Sequence, residues 1–513
     1  MAGIDKRQEL RRVIQEGLRV QRGGPESVEY VDVSSSLADI GARQNHVVFG
    51  RRGCGKTLLL QAVEKAATKQ ARIIYINCED YKQHSFPNVL IEILDQVFDE
   101  LERNLTGWFG KKHRSRQLIT EIRKNLVTLK EKPDAQTTSV KEVSTSEIKS
   151  KVSGGVAVEG IKLGASEVAA QKNAIEHEYQ RLDSKIQKLN LLLPKLKEQI
   201  REFFELSSDV KTLFVEVDDF YHLPRTMQPH VADYIHRLCK DVSIYFKIAT
   251  LRHASVLYAD RGSQPTGAQE RHDYQPINID FTLAEFQKTS DQLWQILSLY
   301  ANKAAMTKEE TDGLFVGGGF SRLVLAAGGV PRDFLSLLLD VLSRKQPTEG
   351  IGKDDVRLLS LAVFQRRIEE LKADSEPQEQ DALLRGIYAI RGFCSTKKAN
   401  VFLVSDTVLQ SQNGVRDLLN RLLDYRIIHS VGSALTHKTQ PGTYHAYMID
   451  IGAYANLRKL VGRFDEIDVT ARDARERCRN APVLDEATLM KGYRNAPAAT
   501  ESALLATESE TTE

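Results

Sequence analysis

The sequence has no apolar run near the roughly 18 residues that a helix needs to cross a bilayer. Behind the basic start, MAGIDKRQELRR, no apolar stretch of the secretory type follows. No membrane partner is therefore expected, and the expected location is cytoplasmic. Cysteine is scarce: Cys54, Cys78, Cys239, Cys394 and Cys478 are five in 513 residues, odd in number and without CxxC spacing. That argues against a structural zinc site or a disulfide frame and fits a reducing compartment. Net charge is almost lacking as well, since 71 Lys and Arg face 69 Asp and Glu and leave +2. Bulk charge does not draw such a chain to nucleic acid, so a partner of that kind must meet a local patch. What remains is an ordinary globular composition, 41% hydrophobic and 27% charged. At roughly 100–200 residues per domain it makes two to four domains.

Residues 1–30 are polar and charged and read as an N-terminal extension of one helix and a loop. From residue 31 to 282 an α/β rhythm sets in. NHVVFG (45–50), RIIYINCED (72–80), KTLFVEVDD (211–219), VSIYFKIAT (242–250) and INIDF (277–281) read as strands. TLLLQAVEKAATK (57–69) and NVLIEILDQVFDELERNL (88–105) read as helices with an apolar face. Strands separated by helices imply crossover connections and a mostly parallel sheet. An insertion over about 106–174 interrupts this core with a basic segment, a Ser/Thr/Lys-rich run and VAVEGIKL (156–163), which reads as a small hairpin.

Over 175–206, the residues Ile175, Tyr179, Leu182, Ile186, Leu189, Leu193, Leu196, Ile200 and Phe203 keep a strict 4-3 spacing. This is the pattern of a coiled-coil-like helical arm, with Pro194 a kink or restart. The stripe serves either its own domain or a partner helix. Residues 283–373 read as helical, ADSEPQE, around 374–380, as a linker, and 381–460 as a small domain of helices, the strand VFLV and the strand pair RIIHSVG and TYHAYMIDI. Residues 461–513 form a C-terminal segment whose end, 496–513, has four Glu and no Lys or Arg and reads as a disordered tail.

GRRGCGKT, Gly50 to Thr57, is a full G-x-x-x-x-G-K-[ST] run between a predicted strand and a predicted helix. Gly50, Gly53 and Gly55 let the backbone curl until successive N–H groups point at phosphate oxygens. The helix opening near Lys56 adds the positive end of its dipole. Lys56 is a mobile charge for the β- and γ-phosphates, and the Thr57 hydroxyl is a magnesium ligand. Gly50, Arg51, Arg52, Gly53, Cys54, Gly55, Lys56, Thr57 and Leu58 are together expected to hold ATP. Cys54 lies at a helix N-terminus that lowers a thiol's pKa if the thiol is exposed; the simpler reading is a small residue that fits. LFVEVDD (213–219) ends an apolar strand in two acids. Asp218 suits Mg2+ held through water. Asp219 is placed to orient the attacking water or to accept its proton.

Together with GGVPRDFL (328–335), these motifs resemble those of AAA+ ATPases of the origin-recognition-complex-like clade, close to the STAND NTPases. The resemblance covers about 31–345 and, as a winged helix, 381–452. It implies an α/β fold: a P-loop NTPase parallel sheet of AAA+ type with a helical lid (283–373), the inserted helical arm and a C-terminal winged-helix domain. It implies ATP and Mg2+ as cofactors, with Gly50–Thr57 as Walker A and Asp218 as the Walker B acid. Asp219 matches the catalytic acid, where many AAA+ enzymes have Glu. Arg332 matches the sensor-2 arginine that reaches the γ-phosphate. Gly328 and Gly329 break the chain there, Pro331 starts a helix, and Phe334, Leu337, Leu338 and Val341 bury it, which puts Arg332 at its mouth. Thr250 and Arg252 fall at the sensor-1 position, with the choice between them open. Arg261 or Arg271 is the candidate arginine finger for a neighbouring subunit.

Over 381–460, ten Lys and Arg stand against five Asp. GVRDLLNRLLDY is the expected recognition helix: Val415, Leu418, Leu419 and Leu422 form its apolar face and leave Arg416 and Arg421 for double-stranded DNA. Lys438, in HKTQPG, is the expected wing contact. Lys111, Lys112, Arg114 and Arg116, after Trp108 and Phe109, are either a second basic surface or a solvated helix. Two functions follow. One is an ATP-hydrolysing AAA+ protein that couples nucleotide state to DNA or partner binding. The other is a STAND-like, nucleotide-held switch or scaffold, with little turnover, that recruits a protein partner or a second copy. The resemblance implies a setting in genome maintenance or defence.

Overall fold

The computed structural model describes residues 6–18, 29–33, 35–103, 111–130, 183–207, 210–260, 265–375, 377–454 and 465–497. These fall into two compact units, one made of 1–36, 49–61 and 278–513, the other of 37–48 and 62–277.

The second unit carries most of a five-stranded sheet. Its strands are β1 (His46–Phe49), β2 (Ala71–Asn77), β3 (Thr212–Asp218), β4 (Ile244–Thr250) and β7 (Gln275–Asn278), in the order β2-β3-β4-β1-β7. Two-residue strands β5 (Tyr258–Ala259) and β6 (Thr266–Gly267) pair separately. β3 pairs in parallel with β2 and with β4, as the crossover helices require. Every residue of β3 is buried, which its near-continuous apolar run anticipates for a strand covered on both faces. The last predicted strand is displaced: β7 ends at Asn278, and Asp280 lies beyond it.

Helices Asn88–Arg103 and Gln228–Cys239 pack on strands of this sheet, and helices Lys111–Lys130 and Asp183–Leu206 pack on those helices and on each other. The basic part of the expected insertion is thus the start of a helix that packs on its neighbours, Arg114 pairing with Glu202 at 2.7 Å and Arg123 with Asp95, Asp99 and Glu102. The arm is one helix through Pro194. Its stripe residues Ile186, Leu189, Leu193, Leu196, Ile200 and Phe203 are all buried, against Lys111–Lys130 and Gln228–Cys239. Of the two uses the periodicity allowed, the described part serves its own unit. Ile175, Tyr179 and Leu182, the hairpin at 156–163, and Trp108 and Phe109 lie outside the described residues.

In the first unit one apolar core runs from Leu10 of helix Lys6–Gly17 through Phe334 and Leu338 of helix Pro331–Arg344 to Tyr454 and Leu489. Each such side chain contributes about 1.5–3 kcal/mol by leaving water. The stretch expected as a seven-residue linker is mostly helix: Lys353–Asp374 is followed by Ser375, and Pro377 opens helix Pro377–Lys397. Proline needs no amide partner in a helix's first turn, so the residue that looked like a breaker is a start signal.

Beyond it stand β8 (Val401–Ser405), helices Asp406–Ser411 and Asn413–Asp424, and the antiparallel hairpin β9 (Ile428–Thr436) and β10 (Thr443–Ile449), in the order β8-β10-β9. The C-terminal segment returns to this sheet. Leu403 N–H donates to Pro482 O at 2.9 Å and Leu484 N–H to Leu403 O at 2.8 Å, and helix Glu486–Arg494 packs on Pro377–Lys397. Residues 498–513, most of the expected tail, lie outside the described residues.

Candidate nucleotide site

β1 feeds the loop Gly50–Gly55, and helix Lys56–Ala66 follows. The curl is made where φ turns positive, at Gly53 (88°) and Gly55 (97°), a region that side chains disfavour. A Cβ on Gly53 would lie 2.8 Å from Arg332 Cβ and 3.0 Å from Val330 Cγ1. The amide of Arg332 also donates to Gly53 O at 3.3 Å. Arg332 is therefore seated directly on the loop, as the exposed second residue of helix Pro331–Arg344.

Lys56 is only 5% exposed, and its ammonium donates to Gly50 O at 2.9 Å and Arg51 O at 3.3 Å. Among the described residues its hydrogen-bond partners are main-chain carbonyls, with no carboxylate among them. A buried cation held only by carbonyl dipoles, beside a concave glycine loop, fits an anionic ligand such as a phosphate chain. Thr57, half-buried, follows it at the start of the helix.

The two arginines of the loop are fastened rather than free. Arg51 pairs with Asp280 through Nε (2.6 Å) and Nη2 (2.8 Å), gives its amide to the same carboxylate at 3.1 Å, and reaches Gly328 O (2.8 Å) and Phe281 O (3.1 Å). This guanidinium holds Asp280 below the ordinary carboxylate range despite burial. Arg52 pairs with Asp374 at 2.9 Å. The Cys54 thiol donates to Asp280 Oδ1 at 3.2 Å, and burial pushes its pKa up, so the small-residue reading describes it and the reactive one does not. Leu58 is half-buried.

In the second unit Asp218 is fully buried at the carboxyl end of β3. Its Oδ2 accepts from Tyr75 OH at 3.0 Å and its Oδ1 from Asp219 N–H at 2.9 Å. A carboxylate oriented on both oxygens suits a metal ion that keeps its water shell. Among the described residues no cluster of three or more His, Cys, Asp or Glu forms a metal cage. Asp219 is half-buried with φ 50°, capping the turn Phe220–His222 through its backbone.

Thr250 ends β4 fully buried, with its hydroxyl bonded to Ser255, and Val217 pairs with Ile248, so β3 and β4 end at the same edge. Arg252 is tied to Glu270 at 2.9 Å. Arg271 is exposed in a turn with φ 65°. Arg261 lies outside the described residues.

In the C-terminal part of the first unit, the expected recognition helix buries Val415, Leu419 and Leu422, but also Arg421. Arg421 Nη2 meets Glu379 at 3.2 Å and Ser375 Oγ at 3.2 Å, so it is not available to a groove, contrary to the sequence reading. Ser375 and Glu379 meet helix Asn413–Asp424 on its second side, a packing that an amphipathic pattern does not reveal. Arg416 is exposed, bonded to Asn413. Lys438 stands in the hairpin loop and pairs with Glu476 at 3.1 Å. Arg472 and Arg475, also exposed, were not anticipated. The sequence reading missed Asp280, Tyr75 and Arg426 as well. An acid just past a strand was a usable signal for Asp280; nothing local marked Arg426.

A parallel sheet with β4 between β3 and β1, β1 running into a Gly50–Thr57 phosphate loop, and two acids closing β3 define a P-loop ATPase of AAA+ type. The chain belongs to the ORC-CDC6-like family, whose model matches residues 28–313, more than half of its length. Among solved structures it is similar to the Walker-type ATPase PABY2304 of Pyrococcus abyssi, with 14% identity and a TM-score of 0.35 over 88% of this chain and 95% of that one. It is also similar to the Aeropyrum pernix Orc1 protein in complex with DNA, with 13% identity and a TM-score of 0.29 over 89% and 92%. No curated protein sequence matches it. Among the described residues no helix is long and apolar enough to cross a membrane.

Proposed function

We propose that the chain binds ATP with Mg2+ at Gly50–Thr57, hydrolyses it, and couples nucleotide state to duplex DNA through residues 381–460, which we read as a winged helix. The observation that carries this reading is Lys56, a buried ammonium held only by loop carbonyls. Mg2+ and ATP, when bound, supply the activated phosphoanhydride. Loop amides and Lys56 would orient its phosphates, the Thr57 hydroxyl and Asp218 carboxylate would be the groups offered to the metal's water shell, and Arg332, on the lid helix, would meet the γ-phosphate. Asp219 orients the attacking water. Arg271 remains a candidate finger for a second copy. On the C-terminal side, the exposed Arg416, Arg472 and Arg475, together with Lys438, would be the cations for DNA phosphates.

The test is steady-state ATP hydrolysis with and without duplex DNA, for wild type, Lys56→Ala and Asp219→Asn. DNA-stimulated turnover lost in both variants supports the reading. ATP binding without turnover above Lys56→Ala refutes hydrolysis and favours the second reading, a nucleotide-held switch with a protein partner. The backbone of Asp219, strained at φ 50° and committed to a cap, is the observation on that side.

A further inference from the structure

Arg426 follows the helix Asn413–Asp424 in the C-terminal part of the first unit, and it is 2% exposed. Its φ is 61°, a conformation that glycine takes freely and arginine does not. What the arginine adds at that turn is its side chain, which reaches across the first unit. Nη1 donates to the main-chain carbonyl of Arg52, inside the phosphate loop, at 2.7 Å. Nη2 meets Glu370, and Nε lies 3.1 Å from Asp333 Oδ2, one residue after Arg332. Asp333 is shared with Arg367 (2.9 Å), which in turn meets Asp450 at the end of β10 and the carbonyl of Arg426 itself at 3.3 Å. A second strand of the same connection runs through His429 on β9. Its ring packs so closely on Gly328 that a Cβ there would come within 2.3 Å, and Gly328 O is a ligand of Arg51. His429 Nε2 also lies 3.0 Å from Asp450 Oδ2.

We propose that Arg426 is a positioning residue of the phosphate loop, and that through it the loop and the hairpin β9-β10 communicate by way of Asp333 and Arg367. The inference rests on nucleotide binding at Gly50–Thr57 and adds the group that carries its effect. A nucleotide that draws the loop's amides around its phosphates shifts the Arg52 peptide, and Arg426, Asp333 and Arg367 are too buried and too closely ion-paired to absorb that shift locally. They pass it to Asp450 and to the hairpin. Coupling of this kind is reciprocal, so a partner that fixes the hairpin alters nucleotide affinity by the same factor.

Hydrogen exchange on the full chain, with and without ATP and Mg2+, tests the inference in wild type and Arg426→Lys. Lysine keeps a charge for Asp333 but cannot serve Arg52 O, Asp333 and Glu370 together. In wild type, ATP should slow exchange both at the loop and over 426–450. In Arg426→Lys, ATP should bind about 10-fold more weakly and still protect the loop at saturation, while the change over 426–450 disappears. An Arg426→Lys hairpin that responds to saturating ATP as wild type does overturns the inference. Wild type that binds no ATP in a Lys56-dependent way fails the underlying reading instead, and the inference with it. Should Arg426→Lys not fold, Glu370→Gln loosens the same guanidinium from its partly exposed side. A diminished hairpin response then supports the link, and an unchanged one refutes it.

Discussion

Arg51 and Asp280 form a two-pronged ion pair, Nε to Oδ2 at 2.6 Å and Nη2 to Oδ1 at 2.8 Å, with both side chains almost out of solvent. The pair joins the first turn of the phosphate loop to the chain just beyond β7. Charges this buried repay their desolvation only while both are present. Asp280→Asn should therefore cost about 3–5 kcal/mol in urea unfolding and weaken ATP binding as the loop loosens. The double replacement Arg51→Met with Asp280→Leu should recover most of the stability without recovering ATP affinity. If Asp280→Asn leaves the unfolding midpoint unchanged, the pair is not an anchor.

Gly53 is held by both conformation and space: φ is 88°, and a Cβ would lie 2.8 Å from that of Arg332. Gly317 shares only the first constraint, with φ 54° and nothing within 4 Å of its missing Cβ. Alanine at either site costs about 1–2 kcal/mol of backbone strain. Only Gly53→Ala should also push Arg332 off the loop and reduce ATP affinity, by about 10-fold or more. Equilibrium binding of a fluorescent ATP analogue to both variants separates the effects, and equal losses would remove Arg332 from the site.

These two sites also mark how far the sequence could be read. The phosphate loop and β3 were legible because their signals are local: a fixed spacing of glycines, and an apolar run closed by Asp218 and Asp219. Asp280 was visible only as part of a strand, because INIDF continues an apolar alternation after the ladder has stopped at Asn278. The 4-3 stripe of the arm was real, yet periodicity reports only that a face is buried, not by which neighbour. Pro377 among charged residues read as a linker when it starts a helix. Arg421 and Arg426 were illegible for a common reason: long-range contacts, from Ser375 and Glu379 to one and from the loop to the other, bury arginines on and just after a short helix. No pattern within that helix records such a cover.

A buried histidine and lysine give the second unit a pH dependence of definite sign. His46, 3% exposed on β1, has Nδ1 2.9 Å from Lys247 Nζ, which also donates to Ala42 O (2.7 Å) and Gln44 O (2.8 Å). Burial, reinforced by the Lys247 charge, lowers the imidazole pKa from 6.5 to about 4. Between those values the unfolded chain binds a proton that the folded one refuses. The stability from neutral His46 is complete above pH 6.5 and lost as pH falls toward 4, about 3 kcal/mol in all. Burial likewise lowers Lys247 to about 7, against the opposing charge of Glu216, so its contribution rises with pH from about 7 to 10.5. Thermal midpoints from pH 4 to 7 should slope less steeply for His46→Gln than for wild type. Parallel curves would assign the acid sensitivity elsewhere.

Arg416 and Arg421 lie on one helix and should behave as opposites. Arg416 is exposed, bonded to Asn413 and close to Asp417. Arg421 is 6% exposed and committed to Glu379 and Ser375, with its guanidinium 5.9 Å from the Tyr425 ring centroid. Removing Arg416 should leave thermal stability unchanged and, if this face binds duplex DNA, reduce the slope of log affinity against log salt by about 1. Removing Arg421 should cost about 1.5–3 kcal/mol of stability, through the charged hydrogen bonds it makes, and leave the salt slope as it was. Fluorescence anisotropy with a labelled duplex at several salt concentrations, beside thermal melts of the same variants, reads both quantities. A salt slope that follows Arg421 instead would mean that the helix turns over on DNA and exposes the side that Glu379 now covers. Duplex binding with no change for Arg416→Ala would move the contact to Lys438, Arg472 and Arg475 at the hairpin end.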